Sequence, residues 1–443
     1  MVIDQLQQEI VRLKARLRHQ ERSAKEGPFG SSTPSAKIPL KANAPPEGSQ
    51  RRGGAKPGHR GHGRRRLADE EITSQQSVPG PERCPYCGGP LDPKGRKART
   101  IIEVDPVRKE VVRYELEQCD CHRCHHTFTA RPAGVFAKGL FGNRLLTHLA
   151  VEHYLHGVTL GRLSNHLGIT QGSLWAALHQ LARRLARVPE RLLLEYRRAP
   201  VKQADETGWR TDGHNGYAWL FCTPQVSLFR FRQSRSASVA REVFGTKRLR
   251  GTLVVDRYNA YNHMPCLIQY CYAHLLREVQ DLGKEFPETV EVSRFVAAFA
   301  PLLAEAMQLR AQELSAAQFG LRALELKVEI KSLVYAPAQH PGIQRIQNIF
   351  REQKKRLYHW AKDPAIPADN NRAERELRPL VIARKISFGS QSEQGAQTRE
   401  ILMTVLHTLR KRTTDVFGAF KRTLDKLAEK ETRDPYKLLF DSS

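Results

Sequence analysis

From Pro200 onward the chain alternates in a way that admits few folds. VKQADETGWR, GYAWLFCTP and VSLFRFRQSR are three consecutive strand-like segments separated by turn residues. A helix-like stretch, SASVAREVFG, comes next, and then GTLVVDRYNAYN. Its Leu253-Val254-Val255 run suits a central strand buried on both faces. A further strand at LIQYCYA runs directly into a helix at His274.

The order βββαβ-(α)-βα is that of the ribonuclease-H-like fold, a mixed sheet with helices on both faces. In it, an acid ending the first strand and one ending the fourth lie side by side. Here they are Asp205 and Asp256, each following an apolar or small run where a strand should open into a loop. Buried without a cation, either would carry a large desolvation cost. A later helix must supply the third acid, and PADNNRAERELRPLV places Asn370, Glu374 and Arg378 four apart on one helical face. Three carboxylates suit two hard divalent ions, Mg²⁺ or Mn²⁺, about 4 Å apart, which activate an attacking oxygen and stabilise a leaving one. The expectation is that Asp205 bridges both ions while Asp256 and Glu374 hold one each. Arg378, Arg384 and Lys385 are then placed to neutralise or grip phosphates. Glu206 should face away from Asp205 along the strand, as a salt-bridge residue. Glu376 is turned about 200° from Glu374.

Lys plus Arg number 72 against 46 Asp plus Glu, a net charge of +26, which calls for a polyanionic partner. No apolar run approaches the ~20 residues of a membrane span, and MVIDQLQQEI is no secretory signal. The expected setting is therefore the cytoplasm, on nucleic acid and not on a membrane.

The segments before Pro200 fit that partner. Ile3, Leu6, Ile10, Leu13 and Leu17 form a heptad seam over residues 1–25, as in a short coiled coil or an amphipathic helix folded onto the protein. Residues 26–79 form a linker whose stretch from Glu26 to about Arg66 is too poor in apolar side chains to fold and closes with RRGGAKPGHRGHGRRR. That basic run includes Arg60, Arg64, Arg65 and Arg66, a candidate arm for DNA phosphates. Residues 80–130 carry Cys84-Pro-Tyr-Cys87 and Cys121-His-Arg-Cys124 around two strand-like segments in ARTIIEVDPVRKEVVRYELEQC. This is a zinc ribbon, with one structural Zn²⁺ on Cys84, Cys87, Cys121 and Cys124, and Cys119 a spare that could replace Cys121. Over 135–198, TLGRLSNHLGITQGSLWAALHQLARRL reads as a helix-turn-helix around Gly168 or as a plain helical hairpin. Its shared core would be Leu163, Leu167, Ile169, Leu174 and Leu178. Gln171, Ser173, Trp175 and His179 would face DNA, with Arg183 and Arg184 near phosphates.

The catalytic core is thus expected over 199–274 and 363–400, interrupted by an all-α insertion at 275–362 and followed by a helical tail at 401–443. Cys271 and His274 form a CxxH pair, read as a packed core cysteine and a capping histidine or as a structural pair, with no zinc assigned.

Asp205-Glu206-Thr207, Asp256-Arg257-Tyr258 with Tyr261, and Asn370-Asn371-Arg-Ala-Glu374-Arg375 followed by Arg384-Lys385 resemble the IS66-family insertion-sequence transposases. GGAKPGHRGHGRR, CPYCGG and the amino-terminal seam resemble the same family in the same order, so the likeness spans roughly residues 1–400. The last forty residues depart from the family's usual ending. The resemblance implies a DDE transposase acting on the terminal inverted repeats of a bacterial mobile element and on target DNA. It would be a homo-oligomer, with element-encoded helper proteins as further partners and Asp205, Asp256 and Glu374 as its triad. Two other functions share the charge and the DNA-binding modules: a non-catalytic DNA-binding regulator derived from a transposase, and a ribonuclease-H-like nuclease that cuts without joining.

Overall fold

The centre of the molecule is a hairpin whose turn is written in two residues. In this computed structural model, which describes residues 70, 109–116, 118–120, 127–129, 132–137 and 139–441, Asp212 and Gly213 both have positive φ, 49° and 76°. That is the backbone of a primed turn, and it joins two long antiparallel strands. The described residues from Arg113 onward fall within one compact unit.

Taking the strands in chain order, β1 (Gln118–Asp120) and β2 (Thr127–Thr129) make a separate two-stranded ladder that brackets Cys121 and Cys124. β3 (Val201–Thr211), β4 (His214–Cys222), β5 (Ser227–Arg232), β6 (Thr252–Val255) and β7 (Leu267–Tyr270) form one five-stranded sheet. Its spatial order is β5-β4-β3-β6-β7, with β3, β6 and β7 parallel and the β3–β4–β5 meander antiparallel. This is the ribonuclease-H-like core. Leu253, Val254 and Val255 are fully buried, as a strand covered on both faces must be.

Ahead of the sheet lie α1 (Asn143–Tyr154), α2 (Leu160–Leu167), α3 (Gln171–Leu185) and α4 (Val188–Arg198), and α5 (Ala237–Phe244) links β5 to β6. The insertion is all-α among its described elements: α6 (Tyr272–Glu285), α7 (Val290–Gln308), α8 (Ala316–Tyr335) and α9 (Pro341–Glu352). The chain returns through α10 (Asn371–Ser387), α11 (Glu393–Arg412), α12 (Val416–Glu429) and α13 (Pro435–Phe440).

Both sheet edges are closed by side chains or backbone from later in the chain. Along β7, Tyr270 N–H donates to Arg356 O, and the Gln269 side-chain oxygen accepts from His359 N and Trp360 N. Along β5, the N–H groups of Ser227, Phe229 and Phe231 donate to Thr408 Oγ1, Thr404 Oγ1 and Glu400 Oε2 at 3.0–3.1 Å. Four residues of helix rise about 6 Å and two residues of strand about 6.8 Å, so every fourth side chain of α11 can meet every second amide of β5. An edge that would otherwise template aggregation is satisfied within the chain.

Three sequence expectations change here. The boundary at 400 falls inside α11, so residues beyond it are part of the core's wall and not a tail. The helices of 135–198 do not stand apart: their buried leucines share one hydrophobic core with the sheet. Residues 109–116 form no strand among the described residues, and Val111 is 89% exposed. Residues 1–69, with the heptad seam and the basic arm (Arg60, Arg64, Arg65, Arg66), lie outside the described residues, as do Cys84, Cys87, Cys121 and Cys124.

Candidate active site

Asp205 is not at a strand end. β3 continues six residues past it against β4, whereas its parallel pairing with β6 stops at Gln203 opposite Val254. The loop expected after Asp205 is prevented by this one-sided extension, yet the opening survives on the other side. Asp256 follows the last residue of β6 directly, so both acids sit where the parallel pair parts, the usual position of a crevice in such sheets.

Asp205 is buried and Asp256 half-buried, and desolvation pushes both above the ordinary carboxylate range. Asp205 is raised further by the charges of Glu206, Asp256 and Glu374, and lowered by the Glu206 N–H that it accepts at 2.9 Å. Asp256 is partly compensated by the Tyr258 N–H at 2.9 Å and by Arg235 and Arg257. Asp205 therefore lies within electrostatic reach of both other predicted acids, although 51 residues separate it from Asp256 and a further 118 lead to Glu374.

Glu374 reaches the sheet because its helix is clamped there. Asn370, which precedes α10, donates from Nδ2 to Ala204 O at 2.8 Å and accepts from the Gln203 amide at 3.3 Å. Its own N–H donates to Cys271 Sγ at 3.2 Å, and Tyr272 N–H reaches Ala368 O at 2.7 Å. The start of α10 is thus fixed to β3 beside Asp205 and to the start of α6. Glu374 Oε1 is buried there with no hydrogen-bond partner among the described residues.

His274 is in the same state, with Nδ1 and Nε2 both buried and neither partnered among the described residues. Cys271 Sγ, a His274 ring nitrogen and a Glu374 carboxylate oxygen lie within 4.8 Å of one another. Burial depresses the imidazole's basicity while the Glu374 charge raises it. The residue that precedes α6 is Cys271, so the cysteine, not the histidine, occupies the capping position.

Around the acids, two side chains that the sequence did not single out do much of the positioning. Glu206 accepts from Arg235 at 2.6 and 3.0 Å and from Tyr261 OH at 2.5 Å. Its burial and the nearby Asp256 still raise it to about 7. Arg235 in turn lies over the Tyr258 ring at 3.8 Å, and Tyr258 OH donates to Arg235 O. Arg257 pairs with Glu278 and is 4% exposed. Arg235 carried no local signal, since it falls in a loop after β5; Tyr261 stood in the family motif without a role.

The remaining predicted residues divide. Arg378 and Lys385 are exposed on α10. Arg384 instead turns inward, donating to Thr207 Oγ1 at 3.1 Å and Gly208 O at 2.7 Å, so it fastens the far end of α10 to β3 and its role as a phosphate grip is corrected. On α3, Gln171, Ser173 and Arg183 are exposed. Trp175 stacks on His179 and meets His153 of α1 edge-on, while His179 Nδ1 bonds Thr398 Oγ1 of α11 at 2.6 Å; both are half-buried and do not face outward as expected. Arg184 covers the Phe136 ring. Gly168 makes the α2–α3 turn with φ 59°, and Leu163, Leu167, Leu174 and Leu178 are buried.

A family profile described as transposase, IS66 family, matches residues 138–398, more than half of the chain and the whole of the sheet. The chain belongs to the IS66 transposase family. Curated relatives include two uncharacterized proteins of Sinorhizobium fredii (strain NBRC 101917 / NGR234), y4qI and y4jD. The first is 25% identical over 77% of this chain and 71% of its own length. The second is 24% identical over 79% and 75%. As an IS66 member it is a DDE-type transposase, an enzyme whose substrate is DNA. No helix among the described residues is long and apolar enough to cross a membrane.

Proposed function

We propose that Asp205, Asp256 and Glu374 are the carboxylates with which this transposase cleaves strands at the ends of its element and joins the freed ends to target DNA. The observation that carries this reading is the burial of Asp205 within the fields of both other acids, beside a Glu374 oxygen that no described residue satisfies. Such a cluster is costly for folding and fits a site completed by cations. Mg²⁺ or Mn²⁺ ions bound there would make the attacking oxygen more acidic and stabilise the leaving oxygen. Asp205, Asp256 and Glu374 are the oxygen donors that would hold these ions. Arg235 and Tyr261 keep Glu206 in a fixed position, so that its charge adds to the site without taking a ligand's place. Arg257, next to Asp256 with its Nη1 buried and unpartnered among the described residues, can take a phosphate oxygen.

The DNA itself would lie across exposed Arg378 and Lys385, with Gln171, Ser173 and Arg183 and the basic arm binding farther along. Zinc on Cys84, Cys87, Cys121 and Cys124 would hold the ribbon, in which β1–β2 brackets the second knuckle. Terminal inverted repeats as the bound sequence, a homo-oligomeric complex and element-encoded helpers complete the proposal. The test is strand transfer with pre-cleaved ends and Mg²⁺. Asp205→Asn and Glu374→Gln should each lower joining by on the order of 10²–10³-fold or more while end binding in a gel shift persists. Joining at the wild-type rate in either variant removes that acid from the reaction; cleavage without joining by the wild type would indicate a nuclease, and binding alone a regulator.

A further inference from the structure

The Asp205–Asp256–Glu374 cluster and the Cys271–His274 pair meet at one residue. Glu374 belongs to both, and the two donor sets differ in kind. Around Asp205 and Asp256 the donors are all oxygens, the preference of a hard ion. On the other side of Glu374 stand a thiol sulfur and an imidazole nitrogen, the preference of a borderline or soft ion. The three ligand atoms on that side lie within 4.8 Å of one another. Three bonds of 2.0–2.3 Å to one ion span separations of roughly 3–4 Å, so closing the triangle needs only small side-chain motions.

Two further observations separate this group from a chance packing of a cysteine and a histidine. A buried imidazole normally finds a partner for at least one nitrogen, and here neither nitrogen has one among the described residues. In contrast, the described buried histidines His153 and His407 each bond a backbone carbonyl, at 2.8 and 3.1 Å. Moreover, Cys271 Sγ already accepts the N–H groups of Asn370 and His274. Burial and the Glu374 charge push the thiol up, and these amides offset part of that cost for the thiolate, the form a metal binds.

We infer that Cys271, His274 and Glu374 form a binding site for a Zn²⁺-class ion, distinct from the oxygen-lined pair, whose occupation withdraws Glu374 from catalysis. The inference rests on the reading of Glu374 as a catalytic carboxylate. Binding displaces the Cys271 proton to solvent and leaves one position of a four-coordinate ion to water, and no electron is transferred. The outcome is a transposase that a hard ion activates and a thiophilic ion silences through one shared side chain.

The experiment uses the full chain stripped of metal and titrated with Co²⁺, whose thiolate bonds absorb in the near ultraviolet. Expected is a Co–thiolate band in the wild-type-minus-Cys271→Ser difference spectrum, where the other thiols cancel, and a weaker band in His274→Gln than in the wild type. In parallel, each variant's Mg²⁺-dependent cleavage is measured with and without Zn²⁺ and compared with itself. The Zn²⁺ concentration that halves cleavage should rise about 10–100-fold in Cys271→Ser. Identical Co²⁺ spectra and identical Zn²⁺ sensitivity in all three proteins would overturn the site. If Glu374→Gln keeps full Mg²⁺-dependent cleavage while the Co²⁺ band remains, the metal site stands and the catalytic reading of Glu374 fails. If cleavage requires Glu374 but no Cys271-dependent band exists, the reverse holds.

Discussion

Two faces of α10 carry glutamates two residues apart, and the fold treats them in opposite ways. On the face toward β5 and α11, Glu376 takes Ser227 Oγ at 2.8 Å and Lys411 Nζ at 2.8 Å. On the face toward β3 and β6, Glu374 has a buried oxygen that no described residue satisfies. The same helix, the same residue type and similar burial therefore separate an acid that holds the protein together from one that waits for something else. The difference extends outward: Glu400, Thr404 and Thr408 are engaged with β5, whereas Asp205 and Asp256 share a space with other acids. Paired acids mark architecture, and crowded acids mark a site.

Removing the paired acid should cost the most stability. Glu376→Ala leaves Lys411, mostly buried, with only the Thr223 and Val226 carbonyls, and should lower unfolding stability by about 2–4 kcal/mol in urea titration. An unchanged midpoint would show that the two faces are not so different. Cleavage per folded molecule should be kept, in contrast to any change at Glu374.

The crowded face should respond to pH with the opposite sign from ordinary salt-bridged carboxylates. Asp205, Glu206 and Asp256 are raised in the folded protein, Glu206 to about 7, so above that range the native state bears charges it disfavours. As pH falls from 8 through 7, the native state takes up protons that the unfolded chain does not yet bind, and stability rises. His153 and His407, both lowered to about 3 by burial, act the other way below about 6.5, where the unfolded chain is the better proton acceptor. The metal-free protein should therefore have its highest melting temperature between these two regimes, and Glu206→Gln should flatten the rise between pH 8 and 7. A melting temperature that falls steadily over that interval would contradict the acid crowding.

The smallest effect concerns one rung of α11 on β5. Thr404→Val removes the acceptor of Phe229 N–H and should cost about 1–2 kcal/mol, read as a lower melting temperature with cleavage intact.

How much of this could be read beforehand differs residue by residue. That Asp205 and Asp256 come near each other was legible from the strand order, and the approach of Glu374 from Asn370 and Asn371, which announce a helix start at a family motif. The position of Asp205 inside β3 was not, since whether a strand continues depends on its partner, here β4, and not on its own composition. Arg384 read as a phosphate ligand, yet its direction is fixed by Thr207 and Gly208, nearly two hundred residues away. The same blindness affected Trp175 and His179: helical spacing gives a face, but α11 decides which face is inside. Glu400, Thr404 and Thr408 looked like unremarkable helix positions, because the match between four helical residues and two strand residues exists only after folding.

That match bears on how such elements decay. A reading frame interrupted between Glu374 and Glu400 would yield a chain that still encodes every carboxylate of the site but leaves the β5 amides bare. Such a remnant would stick to its own kind, edge to edge, instead of entering assemblies with intact copies, so damaged elements would tend to be silent bystanders in their host and not poisoners of their active siblings.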